Sequence, residues 1–229
     1  MKIPFLKITT LFLLIFLPGQ ALAERPFLTI ETAIPTEKDT YRIESGLVLN
    51  RLSARGKKTQ LGLNIRYGLI QNLEFDLETP VLFLRGEGKS KNMLGDILLK
   101  TKIRFIKGRA ANPLSIAGQM VIKFPAAGKE DFKEDILKTS GVVDVGFVAL
   151  ASKTFVPATA HINLGYYFIG NPAGKDLSDQ VRYALGLESE VEGSPLKLIA
   201  ELFGQSDTSS SSSTADTLVL MGGFALRTR

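Results

Sequence analysis

Residues 59–84 read TQLGLNIRYGLIQNLEFDLETPVLFL, and apolar and polar residues alternate along nearly all of it. Leu61, Leu63, Ile65, Tyr67 and Leu69 share one parity, with Gly62, Asn64, Arg66 and Gly68 between them. After Asn72 the pattern resumes: Leu73, Phe75, Leu77, Val81 and Phe83 against Glu74, Asp76 and Glu78. A period of two is the mark of a β-strand, because successive side chains leave opposite faces of the pleat. These runs are ten residues or longer, whereas strands of soluble sheets average about 5–6 residues and a tilted strand needs about 9–11 to cross a bilayer.

Working outward, ten strands are expected, near 40–50, 59–69, 73–84, 93–106, 114–124, 142–154, 159–169, 180–192, 196–204 and 217–227. Shorter connections (Asn72 and its neighbours, 107–113, 155–158, 193–195) alternate with generally longer ones (51–58, 85–92, 125–141, 170–179, 205–216). Short turns on one side and long loops on the other are typical of outer-membrane barrels. A charged helical turn is expected at 128–135, and the Ser209–Ser213 run reads as a solvated loop. The apolar parity continues through Ile97, Leu99, Ile103, Phe105, Ile116, Met120, Ile122, Ile162, Leu164, Tyr166, Leu185 and Leu187. The polar parity carries Arg66, Asp76, Lys100, Lys102, Arg104, Gln119, Lys123, His161, Asn163, Arg182, Glu188, Glu190 and Glu201. In a soluble barrel the apolar set faces in. In a membrane barrel it faces lipid and the polar set lines the lumen. Alternation alone does not separate the two; strand length, strand number and loop alternation favour the membrane form. Aromatic residues near strand ends fit interfacial girdles, although the chain has no Trp.

The first 23 residues read as a secretion signal. Lys2 and Lys7 precede an apolar core at Leu11–Leu17, and Ala21-Leu22-Ala23 is a small-residue cleavage site. That core is too short to span a bilayer as a helix. Cleavage would leave residues 24–229 as one barrel domain, with 24–39 as an N-terminal segment on the periplasmic side and a candidate plug. The chain has no Cys, so neither disulfides nor a lipid anchor on Cys is expected. Loss of Lys2 and Lys7 lowers the formal charge from +5 to +3, too little to argue for nucleic acid. Expected partners are outer-membrane lipid and a small solute, with no cofactor.

The strongest local signal is a charge match. Glu74, Asp76 and Glu78 precede Lys100, Lys102 and Arg104 on the same parity. A hairpin folded about Lys89 would oppose Glu74 to Arg104, Asp76 to Lys102 and Glu78 to Lys100. Each such pair stabilises an antiparallel ladder by about 0.2–1 kcal/mol. The strip reads as a staple that sets register, or as a charged lining that sets ion selectivity. Arg66, Lys123, His161, Asn163 and Arg182 are further expected lumen residues. His161, the chain's one histidine, shares a face with Asn163 and lies near Ser152. A hydrolase reading of that set is weaker than a lumen histidine bonded to water, because barrel-wall hydrolases face lipid. Asp131, Glu134 and Asp135 are a weak calcium candidate, opposed by Lys129 and Lys133; no metal site is expected.

Five pieces in order carry a resemblance: Ile65-Arg66-Tyr67-Gly68-Leu69, Asn72-Leu73-Glu74-Phe75, Gly95-Asp96-Ile97 with Lys100 downstream, Val121-Ile122-Lys123-Phe124-Pro125-Ala126, and Asn163-Leu164-Gly165-Tyr166. On these the chain resembles the outer-membrane barrels named for the phenol-degradation meta-pathway. The resemblance implies passage of small, often apolar or aromatic molecules, and no catalytic residue. The ending Phe224-Ala225-Leu226-Arg227-Thr228-Arg229 departs from the aromatic terminus usual in such barrels. That departure raises two expectations: a complete barrel of twelve strands with a further hairpin, or closure at ten with less efficient insertion.

Overall fold

A computed structural model describes residues 30–53, 56–86, 89–126, 141–171, 177–194, 196–208 and 217–226. Among the described residues the chain forms eleven strands and no helix. They are β1 (Tyr41–Ser53), β2 (Gly56–Ile70), β3 (Leu73–Gly86), β4 (Lys89–Leu94), β5 (Ile97–Ile106), β6 (Leu114–Phe124), β7 (Asp144–Phe155), β8 (Ala158–Phe168), β9 (Gln180–Glu190), β10 (Leu196–Asp207) and β11 (Thr217–Leu226). All belong to one antiparallel up-and-down sheet in chain order, with β4 and β5 both paired to β3. Among the described residues no ladder joins β1 to β11.

Two expected loops are corrected. Residues 51–58 and 85–92 are mostly strand, because β1–β2 and β3–β4 continue as long hairpins to Ser53↔Gly56 and Gly86↔Lys89. The fourth expected strand is cut between Leu94 and Ile97. The cause lies opposite, at Pro80, which has no N–H to give a ladder. There the Gly95 amide donates to the Pro80 carbonyl at 2.7 Å, and a Cβ on Gly95 would meet the Pro80 ring at 2.6 Å. The expected helical turn at 128–135, the calcium candidate, the Ser209–Ser213 run, the signal segment and the last three residues lie outside the described residues.

The burial of the sheet is inverted relative to a soluble domain. Ile162 and Leu164 of β8 are 53% and 57% exposed, while His161 and Asn163 beside them are buried. The same holds for exposed Phe75 and Leu77 against buried Glu74 and Asp76, and for exposed Ile103 against buried Lys102. The apolar parity faces outward, and the polar parity faces an enclosed interior.

That interior is occupied by the chain's own N-terminal segment. Ile30 packs with Ala184, Ile199 and Phe203 of β9 and β10, and Ala33 with Ala117, Val121, Val148 and Leu150 of β6 and β7. Polar contacts join the same segment to β2, β3 and β5. A seven-residue stretch, 30–36, thus touches both halves of the sheet, which must curl around it. Its backbone leaves across β2 at Gly68. The Asp39 amide donates to the Gly68 carbonyl at 2.7 Å, and a Cβ on Gly68 would collide with the Glu37 carbonyl oxygen. Only glycine permits this crossing.

Candidate lumen site

The centre of the interior is a charge network around Glu31. Its carboxylate lies 3.1 Å from Arg66 Nη2, 3.1 Å from Lys100 Nζ and 3.6 Å from Lys102 Nζ. Arg66 Nε is 3.2 Å from Asp76 Oδ2, and Lys100 Nζ is 2.7 Å from Glu78. Lys102 Nζ donates to Glu74 Oε1 at 2.9 Å. The other oxygen of Glu74 accepts from the Thr36 amide at 2.6 Å and the Thr36 hydroxyl at 2.7 Å. Arg66, Glu74, Asp76, Lys100 and Lys102 are all buried. Buried charges persist only when paired and hydrogen-bonded, and here the segment's Glu31 and Thr36 complete the pairing.

The expected charge strip is real in composition but shifted in register. Glu74 pairs with Lys102, Asp76 with Lys100 and Glu78 with Leu98. The hairpin turns between Gly86 and Lys89 rather than at Lys89, and the irregularity at Gly95–Asp96 adds one residue. Arg104 therefore falls beyond the last β3–β5 pair, Leu73↔Ile103. It sits at the short-turn rim, where Nη2 donates to the Asn72 side chain and the Gln71 carbonyl, each at 3.0 Å. Glu78 remains an ion partner of Lys100 by a diagonal contact.

Toward the short-turn end, Ser152 Oγ lies 2.8 Å from His161 Nδ1 and accepts from the Ala33 amide at 2.9 Å. His161 Nε2 is 3.7 Å from Glu188, which also lies 3.6 Å from Lys197. His161 thus has a serine hydroxyl at Nδ1 and a carboxylate near Nε2. Asn163 takes no part in this set; it faces Leu150 across the ladder. With one lone pair accepting the Ala33 amide and its proton available to Nδ1, the Ser152 hydroxyl ties the inner segment to the wall. Toward the long-loop end, Lys123 pairs with Asp144 and lies 3.6 Å from Asp96.

Between Glu31 and that long-loop end lies a cavity of about 250 Å³. Its wall includes Lys100, Gln119, Lys123, Asn163, Tyr167 and Arg182, with Leu98, Val121, Val148 and Phe203 as apolar lining. Arg182 stacks on the Tyr167 ring at 4.1 Å. All five expected lumen residues, Arg66, Lys123, His161, Asn163 and Arg182, are on the inner face, though in three separate groups. Glu31 and Thr36 complete the network and carried no individual sequence signal; their wall partners lie at least 35 residues away. Among the described residues no cluster of metal-ligating side chains is present. The sequence matches no protein-family model and no curated protein.

Proposed function

We propose that this chain is an outer-membrane β-barrel for passive passage of small solutes, held shut at rest by its own segment 30–36. The observation that carries the reading is the inverted burial: long strands present an apolar exterior around charged, paired residues. In water such an exterior is a large exposed apolar surface, which soluble monomers avoid; in a bilayer it is what lipid requires. The lumen charges that ring Glu31 would then act on whatever crosses. The five-piece resemblance to the phenol-degradation meta-pathway barrels supports small, often aromatic, molecules as the cargo.

The test is made on the chain beginning at Glu24, refolded in detergent and placed in a planar bilayer, with Glu31→Gln alongside. The expected result is a heat-modifiable barrel of low conductance whose open events become more frequent in the variant, because Arg66, Lys100 and Lys102 lose their shared partner on the segment. Solubility without detergent would sink the membrane reading. The tight seating of the segment favours a second reading, a barrel that does not transport. Silence of both proteins, and of a form lacking residues 30–36, would decide for it.

A further inference from the structure

We infer that the cavity beside Arg182 is a binding site for a small organic anion with a flat apolar body, such as an aromatic monocarboxylate. The inference rests on the barrel reading above and names the chemistry that its lumen selects. Three cations reach this cavity. Lys100 is shared by Glu31, Asp76 and Glu78, and Lys123 by Asp96 and Asp144. Arg182 differs: among the described residues no carboxylate lies within 4 Å of it, and its Nε and Nη2 both donate to one neutral acceptor, Gln180 Oε1, at 3.3 and 2.9 Å. A guanidinium presents five donors in a planar fork suited to a carboxylate, and this one has most of that capacity left over.

One further group points the same way. Gln119 is 5% exposed and lines the cavity, and among the described residues its side-chain donor Nε2 is buried without a partner; Asn163 Oδ1, also buried and unpartnered on the cavity wall, is an acceptor and offers nothing to an anion. Buried amides are ordinarily satisfied, and each one left unmade costs about 1–3 kcal/mol. Gln119, Val148, Gly165 and Arg182 are successive members of one row across β6, β7, β8 and β9, so the amide and the guanidinium flank a floor of small and apolar residues.

The floor is shaped for a flat molecule. A Cβ on Gly146 would collide with the Tyr167 ring, and one on Gly165 would stand 2.9 Å from it. The two glycines let Tyr167 lie against the wall, with Arg182 over its ring. Phe203, Val121 and Val148 supply the apolar remainder. A carboxylate on Arg182 with its ring against this lining would use the fork, the Gln119 amide donor and the apolar surface together.

The experiment is calorimetric titration of the folded mature barrel in detergent with benzoate, and with benzyl alcohol as the neutral counterpart. Saturable benzoate binding is expected, weakened at least tenfold by Arg182→Gln and several-fold by Gln119→Leu, with Arg182→Lys intermediate. Benzyl alcohol affinity is expected to be unchanged by Arg182→Gln. Heat-modifiable mobility verifies that each variant folds, and Arg182→Lys retains the charge if Arg182→Gln does not fold. A folded barrel that does not bind benzoate, or binds it equally well after Arg182→Gln, overturns the site. A chain that forms no barrel fails the underlying reading instead, and a barrel that binds benzoate in silence at the bilayer keeps the site while losing passage.

Discussion

The two halves of the inner wall are built on the same rows yet differ in what their charges meet. On β2, β3 and β5 nearly every charge is matched: Glu74 with Lys102 and Thr36, Asp76 with Arg66, and Lys100 with Glu31 and Glu78. On β6 to β9, continuing the row from Lys102 through Gln119, Val148 and Gly165 to Arg182, amides stand unpartnered around a cavity. The first half is committed to holding the segment 30–36. The second retains unused hydrogen-bonding capacity facing open volume. Unpartnered buried atoms occur in both halves, among them Asn64 Oδ1 on β2 and Thr79 Oγ1 on β3; what sets the second half apart is that its Gln119 donor and Arg182 guanidinium face a cavity rather than the segment.

The comparison is most exposed to Lys102→Met. Lys102 is 1% exposed and stands between Glu74 and Glu31. Removing one member of a buried charge pair costs about 3–5 kcal/mol, because the partner is left uncompensated. Refolding from urea, followed by the heat-modifiable band, is expected to show a large drop in midpoint; an unchanged midpoint would mean that the network is hydrated and not the anchor described. Ser152→Ala is expected to cost less, about 1–3 kcal/mol, since it orphans the buried Ala33 amide. Hydrogen exchange at Ala33 should accelerate in that variant while exchange in β3 stays slow.

The opposite half predicts the opposite sign. Gln119→Leu replaces an amide without a partner by an apolar group of similar size, so the ligand-free barrel is expected to gain up to about 1 kcal/mol. A loss of 2 kcal/mol or more in the urea midpoint, on the order of a buried group losing its partner, would show that the amide is satisfied and that the contrast between the halves is false.

What was legible in the chain follows the range of the physics involved. Strand existence and facing depend on a two-residue period, and Leu73-Glu74-Phe75-Asp76-Leu77-Glu78 displays it without any tertiary context. All eleven named lumen residues except Arg104 fall on the buried side or at its margin. Register was not legible, because it is set by where a hairpin turns and where a ladder skips. Charges at 57, 58, 89 and 91 look like loop, yet the β1–β2 and β3–β4 hairpins run through them. The skip depends on Pro80 meeting Gly95, two residues whose opposition only the fold reveals. Glu31 was hidden for a related reason. Nothing near it in sequence binds it; its three cations come from β2 and β5, at least 35 residues away.

Arg104 gives the smallest and most discriminating effect. In the observed register it bonds only Asn72 and Gln71 at the rim, so Arg104→Ala is expected to cost under about 1 kcal/mol, as a partly exposed polar contact does. In a register folded about Lys89 it would instead oppose buried Glu74, and its loss would rival that of Lys102. Two double-mutant cycles separate these cases without relying on absolute costs. Glu74→Gln with Lys102→Gln should show coupling of about 1 kcal/mol or more, because the two are in direct contact at 2.9 Å. Glu74→Gln with Arg104→Gln should be additive within about 0.5 kcal/mol. Coupling found in the second cycle and absent from the first would move the hairpin by two residues, take Lys102 off Glu74, and with it remove the anchor that seats Thr36 in the lumen.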